Sequence, residues 1–234
     1  MSFKILLKNF RCLKQTDSLE LRPITILLGR NSAGKSSFLR SFPLISQSLK
    51  TRASVPLMWF GEYVDFGGFD ETKTRNIDDN YIQFEFETEN LGIKPFYSRW
   101  RRLQAKDNND KLLQGKQRLS IQVVKTNGTT HICKIEFYCG SLDQTLFLEI
   151  ASTASRRLTK ILLDDQPVSI PNVESIELAD NDLFPDLKAI YSDNNYSEIG
   201  LHRPVLETIR ALFKINAHKS LGPKKLEQFF RQFV

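Results

Sequence analysis

The period of apolar and polar residues changes several times along the chain. Phe3 to Asn9 and Ser18 to Arg22 read as short strands, and the continuous apolar run Ile24 to Leu28, set off by Pro23, reads as a third. Phe38, Phe42, Ile45 and Leu49 then recur at steps of four, three and four, which places them on one face of a helix. Pro43 should kink or break that helix, because it lacks an amide donor. Residues 51–80, including "MWFGEYVDFGGFDE", follow neither period, and their glycines and aromatics indicate a packed loop. From Tyr81 the period becomes two: Ile82, Phe84 and Phe86 face one side, Gln83, Glu85 and Glu87 the other. Asn127-Gly128 lies between two β-rich runs and predicts a hairpin. "TLFLEI" and "LTKILLDDQPVSI" carry the series to about residue 170. An antiparallel sheet over 81–170 is therefore expected, in place of the alternating strand–helix units of a doubly wound fold. From Pro204 the pattern is helical again, with Val205, Ile209, Leu212 and Phe213. A stop at Gly222-Pro223 precedes a last helix whose Leu226, Phe229, Phe230 and Phe233 need a partner.

Composition narrows the class. The 234 residues suffice for one large domain or two small ones. No apolar run approaches the ~20 residues that span a bilayer. The start, MSFKILLKNF, lacks a secretory pattern. Cys12, Cys133 and Cys139 are odd in number and form no Cys-x-x-Cys pair, which fits a reducing compartment and no zinc ribbon. A cytoplasmic protein is expected. The net charge of +6 is uneven: residues 1–60 carry ten Lys/Arg and two Asp/Glu, whereas residues 161–200 carry one Lys and nine acids. A basic segment of that kind attracts polyphosphate and could steer nucleic acid.

The chemistry is concentrated in "LLGRNSAGKSSFLRSF". Gly29, Gly34, Lys35 and Ser36 fit G-x-x-x-x-G-K-[ST], after an apolar run and before a helix, the context that motif requires. Gly29 lets the chain leave a strand sharply, and Gly34 leaves room for a phosphate against the backbone. The amides between them form an anion-binding concavity at a helix N-terminus. Lys35 is expected to reach the β- and γ-phosphates of a nucleoside triphosphate, and the Ser36 hydroxyl to bind Mg²⁺.

"FKILLKNFRCLKQTDSLELRPITILLGRNSAGKSSFLRSF" resembles the N-terminal lobe of ABC-type ATPases of the SMC, RecF and OLD group. The shared marks are Asn9-Phe10-Arg11 at the end of the first strand, Leu19-Glu20-Leu21 in the second, and "G-x-N-S-x-G-K-S-S". The likeness is nearest to bacterial AAA-family ATPases of the OLD type, many of which belong to anti-phage defence loci, and in which a segment like "GEYVDFGGFDE" follows the first helix. The resemblance implies an α/β (α+β) P-loop NTPase lobe of ABC/SMC type with a mixed sheet, an antiparallel β subdomain and C-terminal helices. It also implies that Asn31, Ser32, Ala33, Gly34, Lys35, Ser36 and Ser37 wrap the phosphates of ATP, that Ser36 ligates Mg²⁺, and that Arg11, with Cys12, lies near the base or ribose. Such ATPases hold two ATP molecules between two heads, so a homodimer or higher oligomer, with an effector protein or DNA as reader, is the implied assembly.

The chain departs from that group in lacking a Ser-x-Gly-x-x-Gln signature, and Gln47, inside the first helix, is a poor Mg²⁺-sensing glutamine. "KILLDDQPVSI" could be the strand that presents catalytic acids, Asp164 and Asp165, with His202 as a following histidine. Alternatively, Asp164-Asp165-Gln166-Pro167 is a hairpin turn, a reading favoured by the β-rich surroundings. The hairpin reading makes the chain an N-terminal lobe, with hydrolysis awaiting a C-terminal lobe and a second head. Its expected organisation is a nucleotide-binding core over 1–80, an antiparallel β subdomain over 81–170, an acidic connection over 171–200 and helices over 201–234. A P-loop small-molecule kinase and a non-hydrolysing ATP-binding scaffold are the alternatives. The basic run from Arg99 to Arg118 around Trp100 reads as an exposed hairpin loop ahead of a nucleic-acid groove, and His131 as structural. No metal-ligand spacing occurs.

Overall fold

The computed structural model describes residues 3–50, 55–89, 115–140, 143–151, 156–168, 173–178, 183 and 187–191. The expected helices after Pro204, His202 and the basic run from Arg99 to Gln114 lie outside the described residues.

One antiparallel sheet organises most of what is described. Its strands are β1 (Phe3–Phe10), β2 (Leu13–Gln15), β3 (Leu19–Leu21), β4 (Tyr81–Glu89), β5 (Lys116–Thr126), β6 (Thr129–Cys139), β7 (Gln144–Ile150), β8 (Leu158–Leu163) and β9 (Gln166–Pro167). The order across the sheet is β2-β1-β4-β5-β6-β7-β8-β9, with β3 also on β1. The alternation read from the sequence sets its register. Phe86, Leu119, Phe137 and Leu146 line up across four strands, as do Phe84, Ile121, Ile135 and Leu148, and all are buried. Asn127 (φ 52°) and Gly128 (φ 81°) form the two-residue turn between β5 and β6, with Thr126 opposite Thr129, as that dipeptide predicts.

Helix α1 (Lys35–Lys50) contributes Phe38, Leu44, Ile45 and Leu49 to the same core as Ile5, Leu7 and Phe84. The expected interruption at Pro43 does not occur, and α1 continues through it. Proline removes one amide donor, whose partner would be the carbonyl of Leu39 four residues earlier. Leu39 is exposed, so the lost bond lies toward the solvent side of the helix, where it costs least.

The loop after α1 is packed, as its composition indicates: Leu57, Trp59, Val64, Phe66 and Phe69 are buried, the last in the short helix α2 (Phe69–Thr72). Gln47 fastens this loop to α1. Its amide donates to Met58 O and Val64 O, and its carbonyl accepts from Tyr63 N and Val64 N. A buried polar side chain in an apolar environment needs such saturation.

Two findings depart from the sequence reading. The first lies in the expected acidic connection over 171–200, where β10 (Val173–Leu178) and β11 (Leu187–Tyr191) pair into a second, two-stranded sheet. Arg157, beside β8, donates to Glu177 at 3.0 Å, so part of that acidity has a partner within the chain. The second is that Ile24–Leu28 is not a paired strand, and every pairing among the described residues is antiparallel, where a mixed sheet was expected. Among the described residues, no helix is long and apolar enough to cross a membrane.

Candidate phosphate-binding site

The loop between Leu28 and α1 has the backbone its glycines allow. Gly29 (φ 154°) and Gly34 (φ 90°) occupy conformations that L side chains rarely adopt, and Ser32 (φ 59°) is left-handed as well. Ala33 N donates to Arg30 O, closing a turn inside the loop. The first intrahelical bond of α1 runs from Phe38 N to Gly34 O at 2.8 Å, leaving the preceding amides at the helix N-terminus without helical acceptors. Alternation of left- and right-handed residues ahead of a helix N-terminus is the geometry that cups an anion.

Lys35 lies across this concavity. Its Nζ donates to Gly29 O and Arg30 O, each at 2.7 Å, so the side chain curls back over the loop. Asn31, Ser32, Ala33 and Ser36 are exposed, and Lys35 and Ser37 are half-buried. Gly34 alone of the group is buried, because the turn between β1 and β2 sits on it. A Cβ added at Gly34 would lie 2.4 Å from Leu13 Cδ2 and 3.2 Å from Cys12 Sγ. Cys12 Sγ is also 3.7 Å from Ser37 Oγ. Glycine is thus required at 34 for two separate reasons, conformation and contact.

The β1–β2 turn needs its own support. Asn9 (φ 60°) and Arg11 (φ 58°) are both left-handed, which turns the chain sharply around buried Phe10. Arg11 N donates to Thr72 O and Thr74 N to Asn9 O, tying the turn to α2. The Arg11 guanidinium donates to Glu71 O at 3.1 Å and lies 5.7 Å from the Phe66 ring, with Arg40 also over that ring at 4.9 Å. At the base of the turn, Asp79 accepts from Asn9 and pairs with Lys8; these contacts hold its carboxyl below the usual carboxylate range.

The structure therefore gathers Gly29, Asn31, Ser32, Ala33 and Gly34 in one loop, with Lys35, Ser36 and Ser37 in the first turn of α1, and sets Cys12 beside Gly34 and Ser37. The Arg11 guanidinium is engaged by Glu71 and Phe66. Leu13 is the residue the sequence reading missed; the signal available was one apolar position following the Arg-Cys turn.

Asp164 and Asp165 belong elsewhere. Both are left-handed (φ 50° and 63°), and with Leu163 opposite Gln166 they are the two central residues of the β8–β9 turn. Asp164 Oδ1 accepts from Thr145 N at 2.8 Å, so its carboxylate pins β8 to β7. Strand β8 lies five strand steps from β1 in the sheet order, about 24 Å at the usual ~4.8 Å spacing. The hairpin reading of "ILLDDQPVSI" is the one the structure bears out. Gln47 is likewise committed to the loop beyond α1. His131, in β6, is half-buried, and burial lowers its pKa. Burial pushes the Cys133 thiol up to about 11, which keeps it protonated and unreactive at neutral pH. Among the described residues, no three His, Cys, Asp or Glu side chains are grouped to hold a metal ion.

A comparison with curated proteins finds no match. A comparison with protein families matches residues 1–202, which contain the whole loop and the sheet described above, to the AAA ATPase domain. The match covers most of the chain, and the chain belongs to that family of P-loop ATPases.

Proposed function

We propose that residues 29–37 bind ATP with Mg²⁺ and that the chain is the ATP-binding lobe of an ABC/SMC-like ATPase. The observation that supports this best is the loop itself, whose left-handed residues lead into the N-terminus of α1 with Lys35 Nζ above them. In this reading the amides of Asn31 to Ser37 hold the phosphate oxygens, and Lys35 exchanges its two carbonyl acceptors for the β- and γ-phosphates. Ser36 supplies one oxygen to Mg²⁺, and phosphate and water oxygens supply the rest. The turn at Arg11 and Cys12 forms one wall of the nucleotide site.

The lobe stabilises only part of the charge that develops during phosphoryl transfer, so hydrolysis is assigned to an assembly with a C-terminal lobe and a second head. ATP would close two heads and hydrolysis release them, a dimerisation switch read by an effector protein or DNA in a DNA-related or anti-phage process. The antiparallel pairing of every strand among the described residues argues against a small-molecule kinase. Within the lobe, 1–80 would serve as nucleotide-binding core and 81–170 as its β subdomain.

The test is titration of the full chain with ATP and Mg²⁺ by calorimetry, beside Lys35→Ala. Binding that falls at least about tenfold in the variant, with negligible turnover by the chain alone, is the expected result. Equal binding by both proteins, or no binding at about 1 mM ATP, overturns the proposal.

A further inference from the structure

The chain leaves α2 through Thr72, Lys73 and Thr74, and all three are joined to the turn between β1 and β2. Thr74 reaches both arms of that turn. Its N–H donates to Asn9 O at 3.0 Å, on the β1 arm, and its hydroxyl donates to Leu13 O at 3.2 Å, on the β2 arm. Between the arms, Arg11 N donates to Thr72 O at 2.6 Å, and Phe10 bridges to Lys73. Thr74 is only 6% exposed, so solvent competes little for the bond its hydroxyl makes.

Leu13 carries this support to the phosphate loop. It closes on Gly34 so tightly that a Cβ there would lie 2.4 Å from Leu13 Cδ2. Gly34 O in turn accepts the first helical bond of α1, from Phe38 N. A displaced Leu13 therefore shifts the wall behind the last glycine of the anion concavity, next to the amides that open α1. The turn does not hold Leu13 in place unaided. Arg11, at its apex, is left-handed (φ 58°), a conformation that costs a residue with a side chain and persists where the surroundings impose it. The bonds from residues 72–74 impose it here, and the Thr74 hydroxyl extends the same hold to Leu13. We infer that Thr74 is a positioning residue of the phosphate site, a role that rests on the reading of residues 29–37 as the ATP site. Its hydroxyl keeps Leu13 against Gly34, so that the loop is shaped for phosphate before nucleotide arrives.

The test is calorimetric titration of the full chain and its variants with ATP and Mg²⁺. Each variant is titrated well below its unfolding midpoint, so a lost fold cannot pass for a lost contact. Thr74→Val keeps the branched shape and the main-chain bond to Asn9 and deletes only the hydroxyl. Its Kd should rise about three- to tenfold. Thr74→Ser returns the hydroxyl and should bind within about twofold of the parent chain. Leu13→Ala removes the group that Thr74 positions and should weaken binding by a similar factor. Adding Thr74→Val to it should then weaken binding by less than about a further twofold. Parent affinity in Thr74→Val overturns the proposal, as does weakened binding that Thr74→Ser fails to restore. Full multiplication of the two effects in the double variant also overturns it, because Thr74 would then act by a route other than Leu13. Failure of the parent chain itself to bind ATP at about 1 mM overturns the reading of residues 29–37 and this role with it.

Discussion

Ile24–Leu28 and β4 are both short apolar-rich runs, and the molecule treats them in opposite ways. Strand β4 is paired with β5 along its length on one side and with β1 from Gln83 to Thr88 on the other, and Ile82, Phe84 and Phe86 are buried. Among the described residues Ile24–Leu28 has no strand partner, and three of its side chains are exposed, yet it leads directly into the phosphate loop. The sheet holds β4 from both sides, whereas the run that leads into the loop has no strand partner among the described residues. Positioning of the loop therefore falls to Leu13, Cys12 and the β1–β2 turn resting on Gly34.

The contrast is sharpest in stability. Phe84→Ala removes a fully buried ring that lies edge-on to Phe10, and a loss of about 3–5 kcal/mol is expected by denaturant unfolding. Ile26→Ala should change stability by no more than about 0.5 kcal/mol, because the side chain is already in water. Comparable losses at both positions would show that the Ile24–Leu28 stripe is covered.

Next in size is Gln47→Ala, which strands Met58 O and Val64 N and leaves Val64 O with Gly61 N alone. A loss of about 2–3 kcal/mol is expected, together with proteolytic opening of the 58–64 loop before any cut in β4. Gly34→Ala combines a positive φ with collision against Leu13, and should cost about 1–3 kcal/mol and weaken ATP binding. Leu13→Ala in that background relieves the collision but not the φ, so partial recovery is the expected result.

A smaller effect compares two neighbouring acids on the polar face of β4. Burial raises the Glu85 carboxyl above its usual range. Its neutral form is favoured by folding, so its contribution falls as pH rises through the carboxyl range. Glu87 is also penalised by burial, yet hydrogen bonds from Lys116 and Lys4 prevail and lower its pKa. Its contribution is present above the usual carboxyl range and is lost as pH falls through it. At pH 7, Glu85→Gln should therefore raise the melting temperature and Glu87→Gln lower it, with the difference narrowing on acidification. The smallest effect is expected for Asp165→Asn, which keeps a residue tolerant of positive φ in the β8–β9 turn. It should leave ATP turnover in any assembled form unchanged, whereas a collapse of turnover would return Asp165 to catalysis.

Much of the fold was legible in the residues. The period-two alternation from Tyr81, the Asn127-Gly128 turn and the helical spacing after Lys35 are local patterns enforced by backbone geometry. Local chemistry likewise determined the phosphate loop, since only glycine tolerates the φ at 29 and 34. What only the tertiary structure decided depends on residues far apart in sequence. Leu13 limits position 34 because β2 brings it there, and Asp164-Asp165 lies five strands from β1 because hairpins carried it across the sheet. Pro43 was tolerated on a stretch of α1 where Leu39, four residues earlier, is exposed. The apolar run at 24–28 predicts a strand, but a strand is made by its partner's hydrogen bonds, and a run of residues cannot supply those to itself.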